Sequence, residues 1–309
     1  MITKSRHIVQ TVIRRWQSTP AQQWGTYHPT VDNMKSVQYL VAGRVANVVL
    51  NRPQRFNAID EFMPAEIKAS VEAANWDDAV KVIVLSGAGN AFCSGYDLKE
   101  YAEVERGGPM SQNMPWDPYL DFKFMSHCNN CYMSLWHSLK PTIAKIRNVC
   151  IGGGTDMALL CDVTFANDTA RIGYPPSRLW GCPTSAMWTF RLGLEKAKRI
   201  LFTGEVLSGA KAADLGLIGE SVPEDQLDKS VDEFVDRIAT VPTNQLFFQK
   251  QVVNQVIETM GLTSAQRLST LLDGMTRHTP EGVAFQKRCQ EVGFKQAVAE
   301  RDAGTFSTK

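Results

Sequence analysis

The chain has 309 residues, of which 44% are hydrophobic and 21% are charged; these values are ordinary for a globular protein and exclude extended disorder. Its 33 basic and 32 acidic residues nearly cancel, so no excess of positive charge indicates binding to nucleic acid. The sequence contains no uncharged apolar run of about 18 residues, which predicts that no helix spans a membrane.

The N-terminal segment is basic and contains no acidic residue before Asp32. Apolar residues recur at helical spacing between Ile8 and Trp16, and Arg14 and Arg15 lie among them. An amphipathic, arginine-bearing, acid-free start is typical of a mitochondrial transit peptide. The sequence therefore predicts a transit peptide over residues 1–30 and a mitochondrial matrix protein, with a plain basic tail as the alternative.

The rest of the chain begins with alternating strands and helices and ends in helices. The predicted strands are 37–41, 45–50, 80–85, 142–146 and 163–166. The predicted helices are 62–74, 120–139, 152–161, 194–202, 208–214, 226–239, 243–260 and 264–300, the last interrupted near Pro280. This alternation predicts an α/β core with crossover connections over 36–225 and a helical region over 226–309. The pattern leaves open whether that helical region covers its own core or packs on another subunit.

Two motifs have ordinary structural explanations. The segment from Gly87 to Phe92 resembles the start of a dinucleotide-binding loop, but Phe92 stands where the third glycine is required, so a simple turn is favoured. Cys128 and Cys131 share one face of a predicted helix without a second such pair, which favours buried thiols over a redox or zinc site. The odd total of seven cysteines favours reduced thiols in an intracellular protein, and no cluster has metal-ligand spacing. No metal site is predicted.

Two glycine-bearing turns follow predicted core strands. One is the segment FCSGYDL at 92–98, and the other is IGGGTDM at 151–157. Three consecutive glycines allow the backbone to approach a ligand closely, and the free N–H groups at the start of a helix favour negative charge. The two turns could aim two N–H groups at one oxygen and so form an oxyanion hole. A tight turn that only permits close helix packing explains the glycines equally well.

Five segments together resemble the crotonase superfamily, also called the enoyl-CoA hydratase/isomerase family. They are NRPQRFNA at 51–58, FCSGYDL at 92–98, IGGGTDMALLCDVTFA at 151–166, the stretch 170–193, and FTGEVLSGAKAADLGLI at 202–218. The resemblance covers roughly 36–290. It implies an α/β fold, a crotonase-like spiral of β-β-α units with a helical C-terminal trimerisation region, and assembly as a homotrimer or hexamer.

The resemblance also implies an acyl-CoA thioester substrate, with coenzyme A as part of that substrate and no separate cofactor. By position, the N–H groups of Ser94 and Gly153 correspond to the oxyanion hole. Arg55 corresponds to a basic residue near the CoA phosphates, although a solvated loop arginine is equally consistent with the sequence. The other substrate-binding residues implied by position are Ala58, Gly95, Tyr96 and Asp97.

The sequence departs from the family at its acid/base residues. Hydratases of the family use two glutamates, and Asp156 stands at the first of these positions. The second position falls on Pro176 or Ser177, neither of which can perform a carboxylate's proton transfer at neutral pH. Asp156 could also be only a helix-start acid favoured by the helix dipole. Possible substitutes for the second glutamate are Tyr96, Tyr119, Asp121 and His127.

The sequence therefore predicts an acyl-CoA-processing enzyme of the enoyl-CoA hydratase/isomerase type. It would stabilise a thioester enolate in a backbone oxyanion hole, with Asp156 as its acid/base. One alternative is a non-catalytic member that binds CoA esters or assembles with partners. Another is a decarboxylase or hydrolase that acts on a CoA thioester.

Overall fold

A computed structural model describes residues 27–104 and 108–307. Residues 1–26 of the predicted transit peptide lie outside the described residues. The ordered core begins with a hairpin, as the sequence predicts, formed by β1 (Val37–Ala42) and β2 (Val45–Leu50).

A six-stranded sheet forms the larger layer. Its order is β1-β2-β3-β4-β6-β9, with every pair after the hairpin parallel. The further strands of this sheet are β3 (Val82–Gly87), β4 (Thr142–Ile146), β6 (Val163–Asn167) and β9 (Glu220–Val222). β3 and β4 are buried on both faces, and this explains their continuous apolar runs.

A second, three-stranded sheet completes the spiral. It consists of β5 (Val149–Ile151), β7 (Arg171–Gly173) and β8 (Val206–Ser208). After β4 the chain enters this sheet through β5 and then turns into α3 (Gly153–Leu160), which gives one β-β-α unit. The arrangement is the predicted crotonase-like α/β fold.

The helices cover the sheets and then form the whole C-terminal region. They are α1 (Met63–Trp76), α2 (Pro118–His137), α3, α4 (Met187–Leu192), α5 (Leu194–Thr203), α6 (Gly209–Leu215), α7 (Leu227–Ala239), α8 (Thr243–Thr259), α9 (Leu262–His278), α10 (Pro280–Val292) and α11 (Phe294–Ala303). Within the described ranges, no helix has the length and apolarity needed to cross a bilayer.

The C-terminal helices fold back onto the core of their own chain. α9 packs against α2, and both α10 and α11 contact a short π-helical segment, Lys99–Glu103. α10 and α11 are separated at Gly293, where the backbone has φ 83° and the sequence predicted an uninterrupted helix. The question that the sequence left open is thereby answered: part of this region covers its own core.

Candidate active site

The two glycine-bearing turns meet at the edge of the smaller sheet. Cys93 donates its N–H to the Val149 carbonyl at 2.9 Å, and Ile151 donates to the Cys93 carbonyl at 3.0 Å. These bonds align the segment around Cys93 with β5, so that Gly95 lies beside the start of α3. The turns that the sequence singled out therefore lie in contact.

Two glycines at the start of α3 are required by this contact. Gly152 has φ 55°, a left-handed conformation that costs other residues energy. A Cβ atom on Gly153 would lie 2.8 Å from Ile59 Cδ1 and 3.0 Å from Tyr96 Cε2. The glycine run thus brings the α3 N-terminus against the Tyr96 segment.

The N–H groups at this contact differ in availability. Ser94 donates its N–H to the Phe56 carbonyl at 3.0 Å, so the assignment of Ser94 to the oxyanion hole is wrong. Gly153 is the first residue of α3 and its N–H has no acceptor among the described residues. The same is true of the Tyr96 N–H, which lies between the bonded residues Gly95 and Asp97. Among the described residues that line the cavity at this contact, Tyr96 and Gly153 each have an N–H group free to bind an oxygen.

A cavity of about 710 Å³ opens at these turns. Seven predicted site residues line it: Arg55, Ala58, Ser94, Gly95, Tyr96, Asp97 and Gly153. Residues of α9, α10 and α11 line the opposite wall, so the predicted trimerisation region contributes directly to the cavity of its own chain.

Asp156 is buried and is not among the residues that line this cavity. It follows Gly153 on α3, is 1% exposed, and accepts a hydrogen bond from the Ser185 N–H at 3.0 Å. Burial raises the pKa of Asp156 from 3.8 to about 7, against the opposing effect of the hydrogen bonds from Ser185. The Asp273 charge raises this pKa further. The carboxyl group is therefore partly protonated near neutral pH.

Four basic side chains line the cavity without an acidic partner. No carboxylate of the described residues forms an ion pair with Arg55, Lys99, Arg171 or Lys295. By contrast, the lining residues Asp97 and Asp302 are paired with Arg52 and Arg301. The unpaired cations give the lining an excess of positive charge that suits an anionic ligand.

Arg52 is a structural residue that the sequence reasoning missed. It lies 3.1 Å from the Asp97 carboxylate and 3.2 Å from that of Asp60, and it donates to the Ala58 carbonyl. The Asp97 carboxylate and the Ala58 carbonyl are thus already bonded within the protein. In these two predicted binding residues, the polar groups are therefore used by contacts within the protein, and their main contribution is to the shape of the cavity wall.

A buried ion cluster forms the part of the lining that comes from α9. Asp273 and Arg277 line the cavity although they are only 3% and 2% exposed. Arg277 forms an ion pair with Asp273 and holds both carboxylate oxygens of Asp121 at 2.7 and 2.9 Å. Asp273 also accepts the Cys182 N–H at 2.8 Å. No sequence signal predicts a site here, because an acid and a base four residues apart on a helix usually form a surface pair.

Comparison with known proteins places the chain in a family. The family model for enoyl-CoA hydratase/isomerase matches residues 41–284. The chain belongs to the enoyl-CoA hydratase/isomerase family. A crystal structure of an enoyl-CoA hydratase from Mycobacterium smegmatis has TM-score 0.84 and 42% identity, over 89% of this chain and 96% of that one.

Curated relatives of the enoyl-CoA hydratase/isomerase family include proteins from eukaryotes and bacteria. The "probable enoyl-CoA hydratase, mitochondrial" of Dictyostelium discoideum is 30% identical over 223 residues, 70% of this chain and 74% of its own length. The 2,3-dehydroadipyl-CoA hydratase of Escherichia coli (strain K12) is 30% identical over 258 residues, 79% and 93% of the two chains. The chain is thus an enzyme-family member whose relatives process acyl-CoA.

The position expected to carry the family's second glutamate has no carboxylate. Pro176 lies against the glycine turn, since a Cβ on Gly152 would be 3.6 Å from Pro176 Cγ. Ser177 donates its hydroxyl to the Tyr174 carbonyl at 2.8 Å. The structure therefore agrees with the departure seen in the sequence.

Of the proposed substitutes, only Tyr96 lines the cavity. Asp121 is held by Arg277, and Tyr119 is 71% exposed on α2. His127 is also on α2, where its Nε2 lies 3.9 Å from Cys131 Sγ, and it is not among the residues that line the cavity.

Cys128 and Cys131 are buried free thiols, as the sequence favours. Among the described residues, no group of three or more His, Cys, Asp or Glu side chains is arranged to hold a metal ion.

Proposed function

We propose that this member of the family stabilises the enolate of an acyl-CoA thioester in a backbone oxyanion hole formed by the N–H groups of Tyr96 and Gly153. The observation that carries the proposal is the pair of unused N–H groups where the two turns meet inside the cavity. Negative charge develops on the thioester oxygen when a proton leaves the α-carbon. Removal of one fixed donor to such an oxygen costs about 3–4 kcal/mol in comparable oxyanion holes.

Coenzyme A fits the charge of the lining. Its phosphates are the anions that Arg55, Lys99, Arg171 and Lys295 would bind, since these side chains lack acidic partners among the described residues. Coenzyme A enters as part of the substrate, and the proposed enolate chemistry requires no separate cofactor.

Asp156 is the proposed acid/base of the site. A pKa of about 7 allows the group both to accept and to return a proton near neutral pH. Its place on the first turn of α3 puts it close to the Gly153 N–H that binds the enolate oxygen. One carboxylate that removes and returns a proton suffices for double-bond isomerisation.

A second candidate function is binding of CoA esters without catalysis. The observation that favours it is the seclusion of Asp156, which is buried and not among the lining residues.

Exchange of α-protons in D₂O separates these two functions. The purified protein is mixed with a panel of saturated and unsaturated acyl-CoA thioesters, and deuterium incorporation is followed by NMR alongside binding calorimetry. Enolate chemistry predicts exchange at the α-carbon of a thioester that binds. Binding without exchange across the panel would support the non-catalytic function.

We propose that the protein assembles as a trimer or a dimer of trimers. Phe248, Val252 and Val256 recur every fourth residue along α8, and Met260 follows at its C-cap; all four are 55–66% exposed. An apolar stripe of this kind is stabilised when a second subunit covers it.

Mitochondrial import is a proposal that rests on residues 1–30 alone. The relatives do not decide it, because one is named mitochondrial while others are bacterial, and the bacterial ones argue against targeting as a family property. N-terminal sequencing of the protein from its native cell tests it: loss of about 20–30 residues is expected for a cleaved transit peptide. An intact N-terminus on a protein outside mitochondria would contradict it.

A further inference from the structure

The position of the missing second glutamate lies next to a carboxylate from a different part of the chain. Pro176 is in contact with the glycine turn on one side and with Gly181 on the other, where a Cβ on Gly181 would lie 2.9 Å from Pro176 Cβ. The same Cβ would lie 3.5 Å from Asp273 Oδ1. Asp273 of α9 therefore lies next to Gly181, which in turn contacts Pro176, where the family's second carboxylate is expected.

The hydrogen bonds of Asp273 within the protein leave its carboxylate with capacity for a ligand. Its carboxylate accepts the Cys182 N–H and pairs with Arg277. A carboxylate offers about four acceptor positions, so two protein donors do not saturate it. The cluster contains two carboxylates, Asp121 and Asp273, against the single cation of Arg277. A buried carboxylate with free acceptor positions favours a hydrogen-bond donor in the cavity beside it.

A second observation points to an oxygen atom at the same place. Arg277 lines the cavity, and its buried Nε–H has no hydrogen-bond partner among the described residues. Buried donors are nearly always bonded to protein or to ordered water. A water or hydroxyl oxygen has the chemistry that both groups require, because it can accept from Arg277 and donate to Asp273.

We propose that Asp273 is the second carboxylate of the active site and holds the water that adds to, or the hydroxyl that leaves, the β-carbon of the acyl group. This inference rests on the proposed function and extends it from enolate formation to hydration. As the water oxygen bonds to the β-carbon, one of its O–H bonds breaks and Asp273 accepts that proton, while the α-carbon takes a proton from the Asp156 carboxyl group. Loss of the hydroxyl as water is the reverse of this step. The carboxylate of Asp273 is on α9, a helix that lines part of the cavity.

The competing explanation is that Asp273 only neutralises Arg277. Asp121 is the matched control for that role, because it is also buried and also bonded to Arg277 but does not line the cavity. A structural role predicts the same effect when either carboxylate becomes an amide. A water-holding role predicts that replacing Asp273, but not Asp121, lowers the rate of hydration relative to the rate of enolate formation.

The test measures two rates on Asp273→Asn, Asp121→Asn and the wild type. One is hydration of an enoyl-CoA, and the other is deuterium exchange at the α-carbon of the corresponding saturated thioester, which needs no water addition. We expect Asp273→Asn to lower hydration about 10²-fold relative to exchange. Asp121→Asn should leave the ratio of the two rates at the wild-type value, whatever it does to the melting temperature.

An unchanged ratio in Asp273→Asn, or an equal change in both variants, overturns the inference. If Asp273→Asn does not fold, Asp273→Glu keeps the charge beside Arg277 but displaces the carboxylate. The ratio is again expected to fall, and a wild-type ratio overturns the inference. Wild-type protein that exchanges α-protons but hydrates no enoyl-CoA overturns it while the proposed function survives; wild-type protein that does neither overturns both.

Discussion

Replacement of Asp156 by asparagine should stabilise the protein while it removes activity. Burial raises the pKa of this carboxyl group from 3.8 to about 7, so the folded state resists its ionisation. A folded-state pKa above the unfolded value contributes stability at low pH that is lost as pH rises between these two values. The rise of this pKa from 3.8 to about 7 corresponds to about 4 kcal/mol of stability lost above pH 7. Asparagine remains neutral, and its side-chain oxygen can still accept the Ser185 N–H.

Denaturant unfolding of wild type and Asp156→Asn at pH 5 and pH 8 measures this effect. The variant's advantage should grow by about 2–3 kcal/mol between these pH values, with turnover at least about 10²-fold lower. If Asp156 only interacts favourably with the dipole of α3, the variant should instead lose a little stability and its turnover should change little. A stability difference independent of pH would refute the raised pKa, and undiminished turnover would refute the acid/base role.

Three further predictions concern the oxyanion hole, the phosphate site and the subunit interface. Gly153→Pro should lower α-proton exchange at least about 10²-fold, because it deletes the N–H proposed to bind the oxygen and adds carbon atoms where Gly153 closely approaches Ile59 and Tyr96; exchange at the wild-type rate, measured by NMR beside a thermal melt, would contradict this. Arg55→Ala should raise KM for an acyl-CoA about tenfold without affecting a pantetheine thioester that lacks the nucleotide phosphates, and an equal effect on both substrates would exclude a phosphate contact. Val256→Asp should dissociate the assembly in sedimentation velocity, whereas a wild-type protein that is already monomeric at micromolar concentration would refute the proposed interface.

The sequence predicted the main strands and helices because these are long enough to show a period. β3, β4 and β6 appear as apolar runs, and the C-terminal helices appear near their predicted places, apart from the break at Gly293 that the sequence did not predict. The strands β5, β7, β8 and β9 have three residues each, too few to show a pattern. They become strands only because the neighbouring segments offer them partners.

The candidate site was predictable where a local motif forms it and unpredictable where distant elements meet. The two turns follow from their glycines, but whether Ser94 or Tyr96 has the free N–H depends on how the segment pairs with Phe56, which is not readable from the motif. Asp273 has no motif at all. It belongs to the site because α9 packs across α2 and brings a helix-face carboxylate to the cavity.

The carbonyl stretch of a bound thioester tests the oxyanion hole most directly. An acyl-CoA labelled with ¹³C at the thioester carbonyl is bound to the wild type and to Gly153→Pro, and isotope-edited infrared difference spectra are recorded. Two N–H donors at the oxygen weaken the C=O bond, so the wild type should shift the band to lower wavenumber, and the variant should shift it less. A bound thioester whose carbonyl band stays at its position in free solution would contradict the proposed site.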